Sequence, residues 1–320
     1  MFLGIEIGGT KLQLGVGNGG GPPFAGFRRL DVDVRRGADR ILAQIAEAGR
    51  QLFSEFPIQA IGFGFGGPIN AAAGIVTTSH QVEGWDNFPL GQWCTQTFGV
   101  PTYLGNDCDM AALAEARFGA GRKKRIVFYV TVGTGVGGGL VTDGSLYGSL
   151  RPAVAEIGHL RPGLDATASS QTVESIASGR GIEASIVAAI SAAPADDPHA
   201  ERLLACCQGD PRTLTAKAVA DQATAGNPLA QAAMDRACRA LGWGIAQVVT
   251  LLAVEAVIVG GGVSLAGEKT FFEPLRRYVR TYVFPPLRDS YEILTPELGE
   301  EVVVHGALAM AAERLAHSAS

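Results

Sequence analysis

The stretch "GIEIGGTKLQLGVG", residues 4–17, places two short runs of alternating apolar residues on either side of Gly8, Gly9 and Thr10. Alternation with a period of two marks a half-buried strand, and the glycine interruption marks a tight turn. Residues 3–7 and 12–16 therefore read as a β-hairpin. A glycine turn also lets an anion reach backbone N–H groups without side-chain obstruction, and a threonine hydroxyl adds a donor. Glu6 stands in the middle of the first strand. An unpaired carboxylate buried there would be costly. On an alternating strand it points opposite to Ile5 and Ile7, toward the turn, where the expected neighbour is Lys11 or a water bound to a metal ion.

The same pattern returns once. Residues 126–141, "IVFYVTVGTGVGGGLV", again read strand, Gly133-Thr134-Gly135 turn, strand. Between the two hairpins lie a helix with Ile41, Ile45, Ala48, Leu52 and Phe56 on one stripe and a buried strand at residues 60–68 ending in a Gly-Pro turn. Residues 100–121 read as a strand, then Asn106-Asp107, then a helix ending near Gly119. A long helix begins at Asn227-Pro228, a favourable cap and first-turn pair. "EAVIVGGGVS", residues 255–264, reads as a buried strand and a glycine turn. A further helix carries Phe272, Leu275, Val279 and Tyr282 and stops before Pro285-Pro286, and the last helix runs from about Gly306. Residues 188–212 are less regular, with "APADDPHA" as a loop.

Composition narrows the function. The chain has 320 residues, 47% apolar and 18% charged, enough for about two domains with ample core. A net charge of −5 gives no electrostatic footprint for nucleic acid, and the basic run at residues 121–125 reads as a solvated turn. Five scattered cysteines form no CxxC pair and no disulfide framework. The most apolar stretch is broken by Gln247, Thr250 and Glu255, so no membrane span is expected. The N-terminus does not read as a secretory signal, and a cytoplasmic protein is the expectation.

Two GxGxxG matches occur, at Gly62-Gly64-Gly67 and Gly133-Gly135-Gly138. The first runs into Pro68 and the second into a strand, so neither opens a helix as a dinucleotide fingerprint requires. Walker A and HExxH motifs are absent, and no His/Cys cluster has metal-ligand spacing. Two glycine-threonine hairpins and a strand-GGG turn instead suit a polyphosphate gripped from both sides, with a flat base over "VGGGVS". Asp107 sits where a strand ends and a helix begins. Its bland reading is a helix cap, a role Asp109 could also fill. Its functional reading is a base for a hydroxyl in phosphoryl transfer, where a carboxylate aligns the nucleophile and accepts its proton. Glu156 and His159, three apart in "EIGH", would share one face of a helical turn; alone they read equally well as a surface pair.

Taken in order, these motifs resemble the ROK family of sugar kinases and sugar-responsive repressors, in the hexokinase–actin superfamily of ATPases. "GIEIGGTK" is similar to the first phosphate motif, "GFGFGGPI" to the strand and turn lining the sugar cleft, and "GNDCDMAALAE" to the segment with the catalytic aspartate. "VTVGTGVGGGLV" is similar to the second phosphate motif, "EIGH" to the sugar signature and "VIVGGGVS" to the adenosine motif. The resemblance implies a two-domain α/β fold of the ribonuclease H-like, actin/hexokinase type, with a cleft between the domains. Residues 1–117 would form the small domain and 118–305 the large one, with the last helix, 306–320, returning to the first. It implies Asp107 as catalytic base, and Gly67, Asn106, Glu156, His159 and Glu174 as sugar-binding residues. Glu6, Gly8, Gly9, Thr10, Lys11, Gly133, Thr134, Gly135, Gly261 and Gly262 would bind nucleotide. ATP and Mg²⁺ would be the cofactors, a hexose the substrate, and a homodimer the assembly.

Three departures from the family pattern stand out. Glu6 replaces the usual aspartate. The segment after His159, "HLRPGLDATASSQTVE", has no cysteine, so no structural zinc is expected where relatives carry a zinc loop. A cleft asparagine expected shortly before Trp85 is replaced, with His80 near its place. The leading expectation is an ATP-dependent hexose kinase. A catalytically inactive sugar-binding protein is the alternative, favoured by Glu6 and the lost zinc loop and opposed by Asp107 and both turns. A repressor is disfavoured by the acidic chain, which starts directly at the phosphate strand.

Overall fold

The computed structural model of the protein describes residues 1–79, 82–148, 151 and 153–318. The chain forms two compact units, one of residues 1–129, 139–155 and 296–320, the other of residues 130–138 and 156–295.

In the first unit the opening hairpin forms as its alternation dictates. β1 (Phe2–Ile7) pairs antiparallel with β2 (Lys11–Gly17), which pairs with β3 (Gly26–Asp31). Helix α1 (Gly37–Glu55) follows, with Ile41, Ile45 and Leu52 fully buried; Phe56 falls just beyond it as the extended cap residue. β4 (Ala60–Phe65) lies parallel to β1 on the other side. After the small β5 (Ile69–Asn70) and β6 (Ile75–Val76) come α2 (Leu90–Phe98), β7 (Thr102–Asn106) and α3 (Asp107–Phe118). The sheet order is β3-β2-β1-β4-β7.

The second sheet has the order β10-β9-β8-β11-β12, from β8 (Ile126–Val132), β9 (Val136–Thr142), β10 (Ser145–Leu146), β11 (Ala256–Gly260) and β12 (Glu292–Leu294). The helices of the second unit are α4 (Val173–Ala177), α5 (Gly179–Ala192), α6 (Pro198–Ala205), α7 (Ala216–Thr224), α8 (Pro228–Leu252) and α9 (Glu273–Tyr282). Asn227 caps α8 as expected, its side chain accepting from the N–H groups of Leu229 and Ala230. The expected loop at "APADDPHA" is shorter than read. Asp197 caps α6, accepting from His199 and Ala200, and Pro198 takes the first helical position.

The last helix, α10 (Val302–Ser318), begins four residues ahead of the expected Gly306 and packs on α3, β1 and β4. It sits directly on backbone. A Cβ at Gly4 would come within 2.6 Å of the Val304 carbonyl, and one at Gly62 would overlap the Ala307 carbonyl. One at Gly64 would overlap the Val303 side chain. Gly4 and Gly62 are direct partners across β1 and β4. Two glycines of the first GxGxxG match, Gly62 and Gly64, thus pave the seat of a helix. Glu115 of α3, fully buried, fastens the returning chain: it accepts from the Glu297 and Leu298 N–H groups at 3.0 and 2.9 Å and from Ala120 at 2.8 Å. No helix among the described residues is long and apolar enough to cross a membrane.

Because the atom facing Gly62 belongs to a helix backbone, it cannot swing aside. Gly62→Ala is expected to destabilise the protein by at least ~1–3 kcal/mol, the usual range for overpacking, read as a lower urea midpoint. An unchanged midpoint would show that α10 is not seated there.

Candidate active site

In the first unit one small cavity, about 80 Å³, joins the first glycine turn to the end of β4 and the start of α3. Ile7, Gly8, Gly9, Gly66, Ser79, Trp85 and Asp107 are among its walls. The turn is closed by the Gly8 N–H donating to the Lys11 carbonyl at 2.9 Å, and Thr10 stands exposed at its tip. Asp107 is the first residue of α3, but it is not the cap. Asn106 is: its Oδ1 accepts from the Cys108 N–H at 2.8 Å, while its Nδ2 donates to the Gly67 carbonyl at 3.3 Å. The bland reading of Asp107 and Asp109 as caps therefore does not describe this helix. The Asp107 carboxylate accepts from the Cys108 N–H through Oδ1. Its Oδ2 lies so near Gly66 that a Cβ there would stand 3.1 Å away. His80 lies outside the described residues.

Glu6 is buried in β1, because the opening strands are covered on both faces rather than half-buried as their alternation suggested. Lys11 Nζ lies 3.7 Å from its Oε2 and also donates to the Glu300 carbonyl at 3.0 Å. The second partner is one the sequence reading missed. Gln13 is fully buried opposite Glu6 in the hairpin register. With its amide turned to satisfy both neighbours, Gln13 donates to Glu6 Oε2 at 2.7 Å and to the Glu300 carbonyl at 3.2 Å. Counting residues outward from the glycine turn pairs 6 with 13, so a register argument could have found it. Burial raises the Glu6 pKa from 4.5 to about 7; Lys11 opposes this, and the negative charges of Asp107 and Glu300 reinforce it. The carboxyl groups of Glu6 and Asp107 thus lie beside the glycine turn, with Lys11 as the near cation. A hydrated Mg²⁺ carried by phosphates suits such a site, since that ion needs one or two carboxylates and keeps its waters.

In the second unit the structure gathers four sequence signals. The Gly133-Thr134-Gly135 turn is closed by the Gly133 N–H donating to the Gly135 carbonyl at 2.9 Å. Glu174 of α4 accepts from the Val136 N–H at 2.8 Å, and a Cβ on Gly135 would come within 2.6 Å of that same carboxylate. "EIGH" forms a short 3₁₀ helix, Ile157–His159, whose Gly158 packs on the Val136 carbonyl. Glu156 and His159 are exposed at its ends. Desolvation raises the Glu156 pKa, with His159 opposing and Glu174 reinforcing. Gly261 takes a φ of 89° after β11 and lies against the Val132 backbone, and Gly262 faces open space. Both glycine turns and the residues around them are therefore placed, with Glu174 serving also as a brace for the second turn. Among the described residues no group of three His, Cys, Asp or Glu side chains could hold a metal ion.

Two sheets of this order, each carrying a glycine-threonine turn, define a mixed α/β protein of the hexokinase type. The ROK family model matches residues 2–314, and the chain belongs to the ROK family. It is 30% identical to the glucokinase of Thermotoga maritima over 318 residues, 98% of each chain. It is 31% identical to the glucokinase of Streptomyces coelicolor over 318 residues, again 98% of each. A ROK family glucokinase from Streptomyces griseus, solved in complex with glucose and AMPPNP, superposes with a TM-score of 0.79 at 29% identity, covering 98% of this chain and 99% of that one.

A carboxyl whose pKa is raised on folding makes stability fall as pH rises. Below about pH 4.5 Glu6 is protonated folded or unfolded; between there and about pH 7 only the folded state keeps the proton. Stability is lost across that window, and the loss is complete above it, on the order of 3 kcal/mol in all. Glu6→Gln, uncharged and similar in shape, is expected to flatten this slope and to be the more stable protein at pH 8 without ligands. Parallel stability–pH curves for the two proteins would contradict the assignment.

Proposed function

We propose that the protein is an ATP-dependent sugar kinase acting on a hexose hydroxyl, with Asp107 as the base. The observation that supports this most strongly is that the Asp107 carboxylate and the Gly8-Gly9 turn wall the same small cavity. A base for a hydroxyl and a cradle for a phosphate are the two things phosphoryl transfer asks of a protein. In the proposed reaction the sugar oxygen forms a bond to the γ-phosphorus of ATP as the bond to the β,γ-bridging oxygen breaks. The bond's electron pair leaves with ADP, and the hydroxyl proton passes to Asp107. Mg²⁺, when bound with ATP, neutralises charge on the phosphates. Glu6 helps hold that assembly from one methylene further than an aspartate would. Asn106, with its Oδ1 and one Nδ2 hydrogen engaged, keeps one N–H for a sugar hydroxyl. Gly67, Glu156, His159 and Glu174 serve the sugar. Gly8, Gly9, Thr10, Lys11, Gly133, Thr134, Gly135, Gly261 and Gly262 serve the nucleotide. The likeness to kinases named for glucose supports a hexose, a homodimer is the assembly proposed, and the cytoplasm is the proposed location.

The alternative, an inactive sugar-binding protein, draws on Glu6 being tied to Lys11 and Gln13. It leaves a raised carboxyl pKa beside a glycine turn without a use. Asp107→Asn separates the readings: kcat is expected to fall by roughly 10²–10⁴ with little change in sugar affinity. Near-normal turnover, or no sugar-dependent turnover in the wild type, would reject the assignment.

We further propose that no structural zinc is needed. The loop after His159 is secured without cysteines, by the Val173 N–H donating to the Leu160 carbonyl at 2.8 Å and Arg161 donating to the Thr167 carbonyl at 3.0 Å. Purified protein is expected to carry less than stoichiometric zinc by elemental analysis and to keep its fold in chelator, while losing activity without Mg²⁺. One tightly held zinc per chain would contradict this.

A further inference from the structure

The second unit carries a second cavity that the phosphoryl-transfer machinery does not use. It measures about 390 Å³ and is walled by Arg236, Arg239 and Trp243 of α8, Tyr282 of α9, Ile176 of α4, and Pro162. The volume lies in the range of small-molecule sites. Residues 236, 239 and 243 follow one another at helical spacing, so α8 presents two guanidinium groups and an indole along one face. Among the described residues no carboxylate lines the cavity.

Among the described residues neither Arg236 nor Arg239 forms an ion pair; the negative charge of Asp235 acts on Arg239 without bonding to it. Arg276, Arg277 and Arg280 of the adjacent α9 are each paired with an acid, Glu268, Asp235 and Asp289. Asp235, the acid next in sequence to Arg236, is bonded through both oxygens to α9. Arg277 donates to one of its oxygens at 2.8 Å and the Tyr278 hydroxyl to the other at 2.6 Å. Among the described residues Arg236 reaches the Ser185 hydroxyl alone, at 3.5 Å. Arg239 donates through Nε to the Tyr282 hydroxyl at 3.2 Å. That bond fixes the guanidinium plane and leaves both terminal nitrogens free to donate in the paired geometry that suits a phosphate. Trp243 and Tyr282 add aromatic surface for the apolar C–H face of a ring.

We propose that this cavity is an effector site for a sugar phosphate, the phosphate held by Arg239 and Arg236 and the sugar ring laid on Trp243. Choosing a sugar among phosphate esters rests on the kinase reading, because a sugar phosphate is that reaction's product.

Isothermal titration with glucose 6-phosphate tests it, without nucleotide and with saturating glucose to fill any sugar-binding site. Arg236→Gln/Arg239→Gln is expected to weaken binding by about tenfold or more, since it removes the charge-assisted bonds. Trp243→Leu is expected to weaken glucose 6-phosphate but to leave inorganic phosphate unaffected. Inorganic phosphate alone is expected to bind more weakly than the ester. Binding that is abolished by glucose, or that is untouched by the double substitution, overturns the proposal. Equal affinity for inorganic phosphate and the ester, unaltered by Trp243→Leu, overturns its sugar part. None of these readouts needs turnover, so failure of the kinase reading would appear separately, as an absence of sugar-dependent ADP formation.

Discussion

Helix α10 rests on bare backbone, and the geometry of the first unit depends on that contact. Gly4 and Gly62, side by side in β1 and β4, carry no Cβ because the Val304 and Ala307 carbonyls occupy the space. The helix is thereby held close to the sheet, which carries the Glu300 carbonyl, just ahead of it, over β2. There that carbonyl accepts from Lys11 Nζ and, with the amide turned, from Gln13. The same two side chains flank Glu6. The position of a charge beside the first glycine turn is thus set by a packing contact at the opposite end of the chain.

This arrangement works against stability. A carboxylate with a pKa near 7 is one that its surroundings hold incompletely. Perturbed groups of this kind cluster at functional sites, although ion-pair networks also produce them. Here the network consists of one lysine at 3.7 Å and one amide, and Asp107 adds like charge. Gln for Glu6 would suit the isolated fold better. Retaining the acid makes sense for a site that meets a cation bound to phosphate. Asp107 differs: Asn106 is the cap of α3, and the Asp107 carboxylate, which accepts from the Cys108 N–H, also walls the cavity beside the glycine turn.

Local signals were legible and distant ones were not. Both glycine-threonine hairpins, the strand-to-helix junction at Asn106-Asp107 and the start of α8 at Asn227-Pro228 follow from period, turn chemistry and capping, all of which act within a few residues. The cap at Asp197-Pro198 carries the same signal as Asn227-Pro228, but it was hidden in a stretch rich in loop-forming residues. The start of α10 was obscured by Val302, Val303 and Val304, a β-branched run that looks unlike a helix until tertiary packing overrides propensity. The meaning of Gly62 and Gly64 was out of reach, because the helix they accommodate lies about 240 residues further on. At the site, Glu6 with Lys11 could be read from strand alternation. Gln13 required the register, and Gly66, Ser79 and Trp85 required the fold.

The account stands most directly on the fate of the phosphoryl group. Incubating the protein with ATP, Mg²⁺ and individual hexoses, and following ³¹P resonances, measures ADP and sugar phosphate in one sample. The account predicts ADP formed only with a sugar that is accepted, and in one-to-one ratio with its phosphate ester. ADP and inorganic phosphate produced at the same rate whether or not sugar is present, or no ADP with any hexose, would contradict it.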